Sequence, residues 1–218
     1  MKIPRLFKYT MESYADNFFN EGDLRIGTFN YYRDEENKLS DEIRDAYEAF
    51  SVRHAHNLTG ESISTRTDAA FKKHAYKIFD LGDTGNLILE HGASLVVEVS
   101  HRNAFLFCTT DSFNKNKMLK MGYTACYEIL NPKKFFCEIN FALPPGAFYQ
   151  IEGKVEYFPR SIDYKSETTV HPYLHKPDFP RFVEQQEYRC VWGSHISALP
   201  DYLDLKVPRA IQHCKRIF

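Results

Sequence analysis

Leu6-Phe7-Lys8-Tyr9-Thr10, then Met11 to Asn20, then Gly22 and Leu24-Arg25-Ile26-Gly27-Thr28, is the stretch whose reading decides the fold. Ile3 to Tyr9 is apolar enough for a first strand. Thr10 is placed to cap a helix over Met11 to Asn20, with Glu12 in the first turn, where a carboxylate meets the positive end of the helix. Gly22 is placed to end that helix, because glycine accepts the left-handed turn that closes one. Leu24 to Tyr32 alternates, with Leu24, Ile26 and Thr28 on one face and Arg25, Gly27 and Phe29 on the other, and reads as a second strand running into a loop.

Working outward, Arg33 to Glu48 is dense in charge, and Ser40 can cap a short helix from Asp41 to Phe50. Phe50 to Arg66 reads as a hairpin turning near Asn57 to Gly60. Asp68 caps a helix through Ile78. Leu87 to Leu89, Ala93 to Val99 and Phe105 to Thr110 are strand-like runs. Asn114 to Met121 is a helix ending at Gly122, and Thr124 to Leu130 a strand. Asn131-Pro132 opens another helix. Phe148 to Phe158 and Phe182 to Trp192 alternate as long strands, joined by a connection of residues 159–181 long enough to be functional. Tyr202 to Val207 and Cys214 to Phe218 add edge strands. The expected class is α+β, with one domain over residues 1–218 and a charged insertion around 33–78.

Composition narrows the function classes. With 28 basic and 29 acidic residues the net charge is −1, which gives no global basic field for nucleic acid. No apolar run is long enough to cross a membrane and no signal peptide opens the chain. The five cysteines, Cys108, Cys126, Cys137, Cys190 and Cys214, show no paired spacing and read as reduced thiols of a cytoplasmic protein. His54 and His56, with His171 and His175, complete no recognisable metal set. Aromatic residues make up 15% of the chain, which suits a β-rich core and equally a cleft that stacks planar ligands.

Three segments together carry a family resemblance. The opening strand, helix and strand are the first. The second is Phe107-Cys108-Thr109-Thr110, followed by Asn114 to Gly122 and Tyr123-Thr124-Ala125-Cys126-Tyr127. The third is Lys176-Pro177, then Phe182 and Gln185-Gln186-Glu187-Tyr188-Arg189. In that order they resemble a bacterial and phage domain-of-unknown-function family thought to be related to ADP-ribosyltransferases, including DNA-targeting toxins. The resemblance implies a split, mostly antiparallel sheet with flanking helices. It also implies NAD as co-substrate and a macromolecular acceptor, protein or nucleic acid, in a toxin or phage–host conflict. Two departures stand out. Lys8 and Tyr9 occupy the place where such transferases often carry a His or Arg, and Gln185 stands where a Glu is usual.

Under that resemblance Glu187 is the candidate catalytic carboxylate. Loss of nicotinamide leaves positive charge on the ribose, and a fixed carboxylate stabilises it. On a strand, Gln185 and Glu187 share a face about 7 Å apart, so that Gln185 can orient the acceptor. Arg189 continues that face and pairs with Glu187, as a functional contact or an ordinary ion pair. The cofactor-binding candidates are Lys8, Tyr9, Thr10, Arg25, Tyr32, Arg33, Thr109 and Thr110. Tyr9 and Tyr32 offer stacking rings, Arg25 and Arg33 bidentate grips on pyrophosphate, and Thr109 and Thr110 hydroxyls for the ribose. Plain core, salt-bridge and strand-end roles are the competing readings. Three functions stay open: NAD-consuming transferase or glycohydrolase, non-catalytic nucleotide or protein binder, and interaction protein using its charged segment.

Overall fold

The computed structural model describes residues 4–33, 50–56, 63–76, 85–90, 92–159, 161–163, 165–166, 171–196 and 198–218. The helix expected from Asp41, the turn expected near Asn57 to Gly60 and most of the charged insertion lie outside the described residues, as do the side chains of His54 and His56. The chain is a mixed α+β protein whose sheets are mostly antiparallel. Among the described residues no helix is long and apolar enough to cross a membrane.

The opening unit is β1 (Leu6–Thr10), α1 (Glu12–Glu21) and β2 (Asp23–Thr28). Met11, not Thr10, takes the cap position, and the Glu12 amide donates to Thr124 Oγ1 at 2.8 Å instead. Gly22 ends the helix at φ 75°, its N–H donating to Phe18 O at 2.8 Å. A Cβ there would lie 2.6 Å from Pro208 Cα, so glycine is required on two counts. The second strand ends at Thr28 and runs into a helix, not the expected loop. Thr28 Oγ1 accepts from the Tyr31 amide at 3.3 Å and turns the chain into α2 (Phe29–Arg33), a cap signal that the alternation hid.

Downstream come β3 (Phe50–His56), β4 (Ile63–Ser64), α3 (Ala69–Ala75), β5 (Ile88–Leu89), β6 (Ser94–Ser100) and β7 (Phe105–Thr110). They are followed by α4 (Lys115–Lys120), β8 (Ala125–Ile129), α5 (Pro132–Ala142), β9 (Ala147–Lys154), β10 (Glu156–Phe158) and β11 (Ser161–Asp163). The chain closes with β12 (His175–Pro177), α6 (Pro180–Val183), β13 (Glu187–Ser194), β14 (Tyr202–Lys206) and β15 (Cys214–Arg216). Asp68 caps its helix as expected, and Asn114 and Asn131, expected as first residues of theirs, stand just before them as caps, each side chain accepting from an amide three residues on. Among the described residues Phe50 to Arg66 forms no hairpin ladder. β3 pairs with β6 and β11, and β4 pairs with β5, because β6 offers a seven-residue ladder that β4 cannot.

The large sheet has eight strands, in the order β14-β2-β7-β1-β8-β15, with β13 on the other edge of β7 and β9 beyond it. β7 is therefore shared by three strands. β13 runs its whole length, from Phe105 opposite Trp192 to Thr110 opposite Glu187. On the opposite edge, β2 holds only Phe105 and Leu106, and β1 holds only Thr110. β1 and β2 both run antiparallel to β7, hence parallel to each other, joined by α1 as a crossover. They part along β7 and open a fork.

Alternation assigns the faces. Phe105 and Phe107 of β7 and Tyr188, Cys190 and Trp192 of β13 enter the main core with Phe18, Phe135, Phe136 and Ile139. Leu106 of β7 and Val191 of β13 turn to the opposite side, into a smaller cluster with Phe29, against which Cys108 packs. That second face carries the polar groups of the site.

Candidate functional site

Two adjoining cavities occupy the fork. The inner one, about 100 Å³, is lined by Lys8, Cys108, Thr109, Thr110, Tyr123, Lys176, Gln185, Glu187 and Arg189 among others. The outer one, about 300 Å³, lies between β1, β2 and α1 and is walled by Tyr9, Tyr14, Tyr31, Tyr32, Tyr123 and Tyr127. Lys8, Tyr9, Tyr32, Met121 and Tyr123 belong to both walls.

Glu187 is the first residue of β13 and is 5% exposed. One carboxylate oxygen accepts from Arg189 Nε at 2.8 Å, and the other pairs with Lys176 Nζ at 2.8 Å. Burial alone pushes this carboxyl up. The charges of Arg189 and Lys176, with hydrogen bonds from Arg189 and the Cys108 thiol, outweigh it and hold Glu187 well below the usual carboxylate range. Its backbone amide donates to Tyr157 Oη at 2.9 Å, and its carbonyl accepts from the Val155 amide at 2.8 Å. The second bond is the last rung between the two strands, because the turn at Gln186 leaves β13 nothing to offer beyond Glu187, and the long strand expected from Phe148 to Phe158 breaks at Val155. β9 follows β13, while β10 leaves to pair in parallel with β12.

Gln185 is not on that strand. Phe182 to Gln186 forms the end of α6 and a turn, closed by bonds from the Gln185 amide to Phe182 O and the Gln186 amide to Val183 O. Pro180 in the first turn favours that helix, and Gln186 reverses the chain at φ 46°. The period of two therefore does not apply between Gln185 and Glu187. The two still meet, through Lys176, whose Nζ donates to Gln185 Oε1 at 3.1 Å. Arg189 does share the Glu187 face, and its Nη1 also donates to Tyr173 O at 3.0 Å.

Lys8 reaches into the fork from β1. Its Nζ donates to Cys108 O at 2.9 Å and lies 4.7 Å from the Phe107 ring centre. It makes no ion pair with a described residue, and burial pulls its ammonium below the usual range. Tyr9 is buried, its Oη accepting from the Asn114 amide at 2.7 Å and its ring packed near Phe113, Tyr123 and Phe218. Burial pushes its hydroxyl up to about 12. Thr10 lines only the outer cavity, and Tyr32 lines both. Gly27 makes room for Tyr32, since a Cβ on Gly27 would sit 2.9 Å from the Tyr32 ring.

The remaining candidates are more committed. Arg25 borders the outer cavity, but its guanidinium grips Asp204 with bonds of 2.8 and 2.9 Å and stacks 3.8 Å over Tyr202. Arg33 bonds to Asn30 and lines neither cavity. Thr109 Oγ1 donates to Tyr188 O at 2.9 Å, and Thr110 Oγ1 accepts from the Ser112 amide at 3.1 Å. Both thus serve the backbone at the end of β7 while bordering the inner cavity. Tyr157 enters the site without a sequence signal, and Tyr123 with no more than its place in a resembling motif, because only the tertiary pairing brings them to the site of Glu187. Among the described residues no group of three or more metal-ligating side chains occurs.

No family model matches the chain, and no curated protein and no solved structure matches it either. The residues of the fork are the ground for any functional reading.

Proposed function

We propose that the fork is a nucleotide site of the ADP-ribosyltransferase kind, with NAD as the ligand and Glu187 as the carboxylate beside its ribose. The observation that carries this reading is Glu187 itself, buried, kept ionised, and bordering a cavity that shares a wall with a tyrosine-lined chamber. Buried charges are costly unless they are fully paired, and perturbed carboxylates in clefts mark functional sites. The outer chamber is at the small end of the size range of ligand pockets, with planar rings for a planar base. In the proposed reaction the bond between ribose C1 and nicotinamide breaks and its electron pair leaves with nicotinamide. Glu187 steadies the positive sugar, and an acceptor or water adds to C1 and loses a proton.

A second reading is binding without turnover. It is favoured by the engagement of both Glu187 oxygens with cations, which blunts the negative charge a sugar cation needs. The experiment that separates them is incubation of the protein with labelled NAD, alone and with cell lysate, following nicotinamide release and transfer of label. Release that is lost in Glu187→Gln supports catalysis. Calorimetric binding of NAD with no release supports the second reading. Absence of both binding and release refutes the nucleotide site.

A further inference from the structure

Glu187 has no place left for another donor. Its two oxygens already take Arg189 Nε at 2.8 Å, Arg189 Nη2 at 3.4 Å and Lys176 Nζ at 2.8 Å, and the Cys108 thiol adds a further hydrogen bond. A carboxylate has about four lone-pair positions, so a ligand hydroxyl entering the inner cavity finds this acceptor filled. Its polar contacts must come from other groups on the wall. Tyr123 and Tyr32 stand there, lining both cavities. Buried tyrosine hydroxyls ordinarily find a hydrogen-bond partner. Others around the fork do: Tyr9 Oη accepts from the Asn114 amide, Tyr157 Oη from the Glu187 amide and Tyr14 Oη from Arg25 Nη1. Among the described residues neither Tyr123 Oη nor Tyr32 Oη has one. Both hydroxyls feel the Cys108 thiol and the Glu187 carboxylate, and Tyr32 also feels Tyr123, so the two meet at the Glu187 end of the wall. Burial pushes both upward, which keeps each O–H in place as a donor at neutral pH.

We infer that Tyr123, with Tyr32 beside it, is the sugar-reading pair of the fork, binding the cis-diol of a ribose through the two phenol hydroxyls. A diol suits them because each of its hydroxyls gives one hydrogen bond and takes others, as each phenol does. The inference rests on the reading of the fork as a nucleotide site and adds which residues select ribose over deoxyribose. Tyr32 acts here through its hydroxyl, apart from any stacking of its ring. Direct contact with the sugar thereby moves away from Glu187, which keeps all its partners and acts on the ribose through its charge.

Tyr123→Phe and Tyr32→Phe in the full chain test this, since each removes a hydroxyl and nothing else. Losing an unpartnered polar group costs no stability, so thermal unfolding of both variants should match wild type or lie above it. Calorimetric titration with NAD, and with its analogue lacking both hydroxyls of the nicotinamide ribose, then closes a cycle. Each variant should weaken NAD about fivefold, the scale of one neutral hydrogen bond, and leave the dideoxy analogue unchanged. Adenosine and dideoxyadenosine are titrated in the same way. A Tyr123→Phe protein clearly less stable than wild type overturns the inference, because the hydroxyl then serves the fold. Variants that weaken NAD and its analogue equally, or weaken neither, also overturn it and leave the nucleotide reading standing. Hydroxyl-dependent binding of adenosine with no affinity for NAD keeps the pair and removes NAD as the ligand. If wild type binds neither NAD nor adenosine, the pair and the nucleotide reading fall together.

Discussion

Arg189 and Glu187, two residues apart on one strand, are locked together at 2.8 Å with the guanidinium side chain wholly out of solvent. The strand puts both on one face, and the fork leaves them facing a cavity instead of a packed core. A pair of this kind is better understood by what its removal does than by what it adds. Swapping both partners for apolar groups can be neutral, whereas removing one strands the other.

Glu187→Gln should therefore be destabilising, by about 3 kcal/mol, because Lys176 and Arg189 stay buried and lose the counter-charge that Glu187 gives them. Thermal unfolding followed by fluorescence of Trp192, the single tryptophan and a fully buried neighbour on the same strand, measures it. Adding Lys176→Met to Glu187→Gln should recover part of the loss. A Glu187→Gln protein as stable as wild type would show that the ion pair carries no structural weight.

The same carboxylate predicts a pH dependence. The folded protein holds Glu187 below the unfolded value of 4.5. Its contribution is then fully present above that value and is lost as pH falls below it toward the lower folded value. The stability gap between wild type and Glu187→Gln should be constant from pH 7 to about pH 5.5 and shrink progressively below about 4.5. Urea unfolding at a series of pH values tests this. A gap that stays constant down to pH 3 would contradict it.

Arg25 and Asp204 form a well-aligned pair, but the side chains keep 31% and 59% of their surface in water. Asp204→Asn should cost no more than about 1 kcal/mol, and less in high salt. It also releases Arg25 at the border of the outer cavity. If Arg25 serves a ligand phosphate, Asp204→Asn should tighten binding of ADP-ribose. If Arg25 is only a clasp between β2 and β14, affinity should stay as it was.

Gly27→Ala probes the shape of the outer chamber. The added methyl meets the Tyr32 ring at 2.9 Å and Tyr31 at 3.1 Å, so the two rings must move. Affinity for an aromatic ligand should fall several-fold while the strand itself persists, since the backbone of Gly27 needs no positive φ. Gly22→Ala is the contrasting case, with φ 75° and a backbone atom in the way. It should lower stability by about 1 kcal/mol or more, with no specific effect on ligand.

Much of this architecture is written locally. The opening strand, helix and strand, the glycine stop at Gly22, the cap at Asp68 and the helix starts at Asn114 and Asn131 depend on neighbouring residues, and each was legible in residue types. The ion pair of Glu187 with Arg189 was legible for the same reason, a spacing of two on a strand. Gln185 was misplaced because alternation carries no mark of where a strand begins. The turn at Gln186 is imposed by α6 and by β13 meeting β7. Lys176 was visible only as a residue of a resembling motif, and its contact with both Gln185 and Glu187 is a product of β12 lying beside β13's start. Tyr123 likewise was visible only in a resembling motif, and Tyr157 had no signal, since no rule of spacing joins either to residue 187. Arg25 illustrates the opposite failure: a residue suited to phosphate is already held by Asp204, 179 positions away.

The parting of β1 from β2 leaves Phe107, Cys108 and Thr109 without ladder partners on one side of the central strand. An unpartnered strand edge is ordinarily a hazard, because another chain can add to it and begin aggregation. Here the edge lies inside the molecule, where Cys108 and Thr109 line the inner cavity with Tyr9, Tyr32 and Tyr123, and the carbonyl of Cys108 is already occupied by Lys8. No second chain can reach it as a strand. The protein thus exposes peptide groups at its centre to small molecules alone, and screens its own weak seam against polymerisation by the same wall that shapes the cavity.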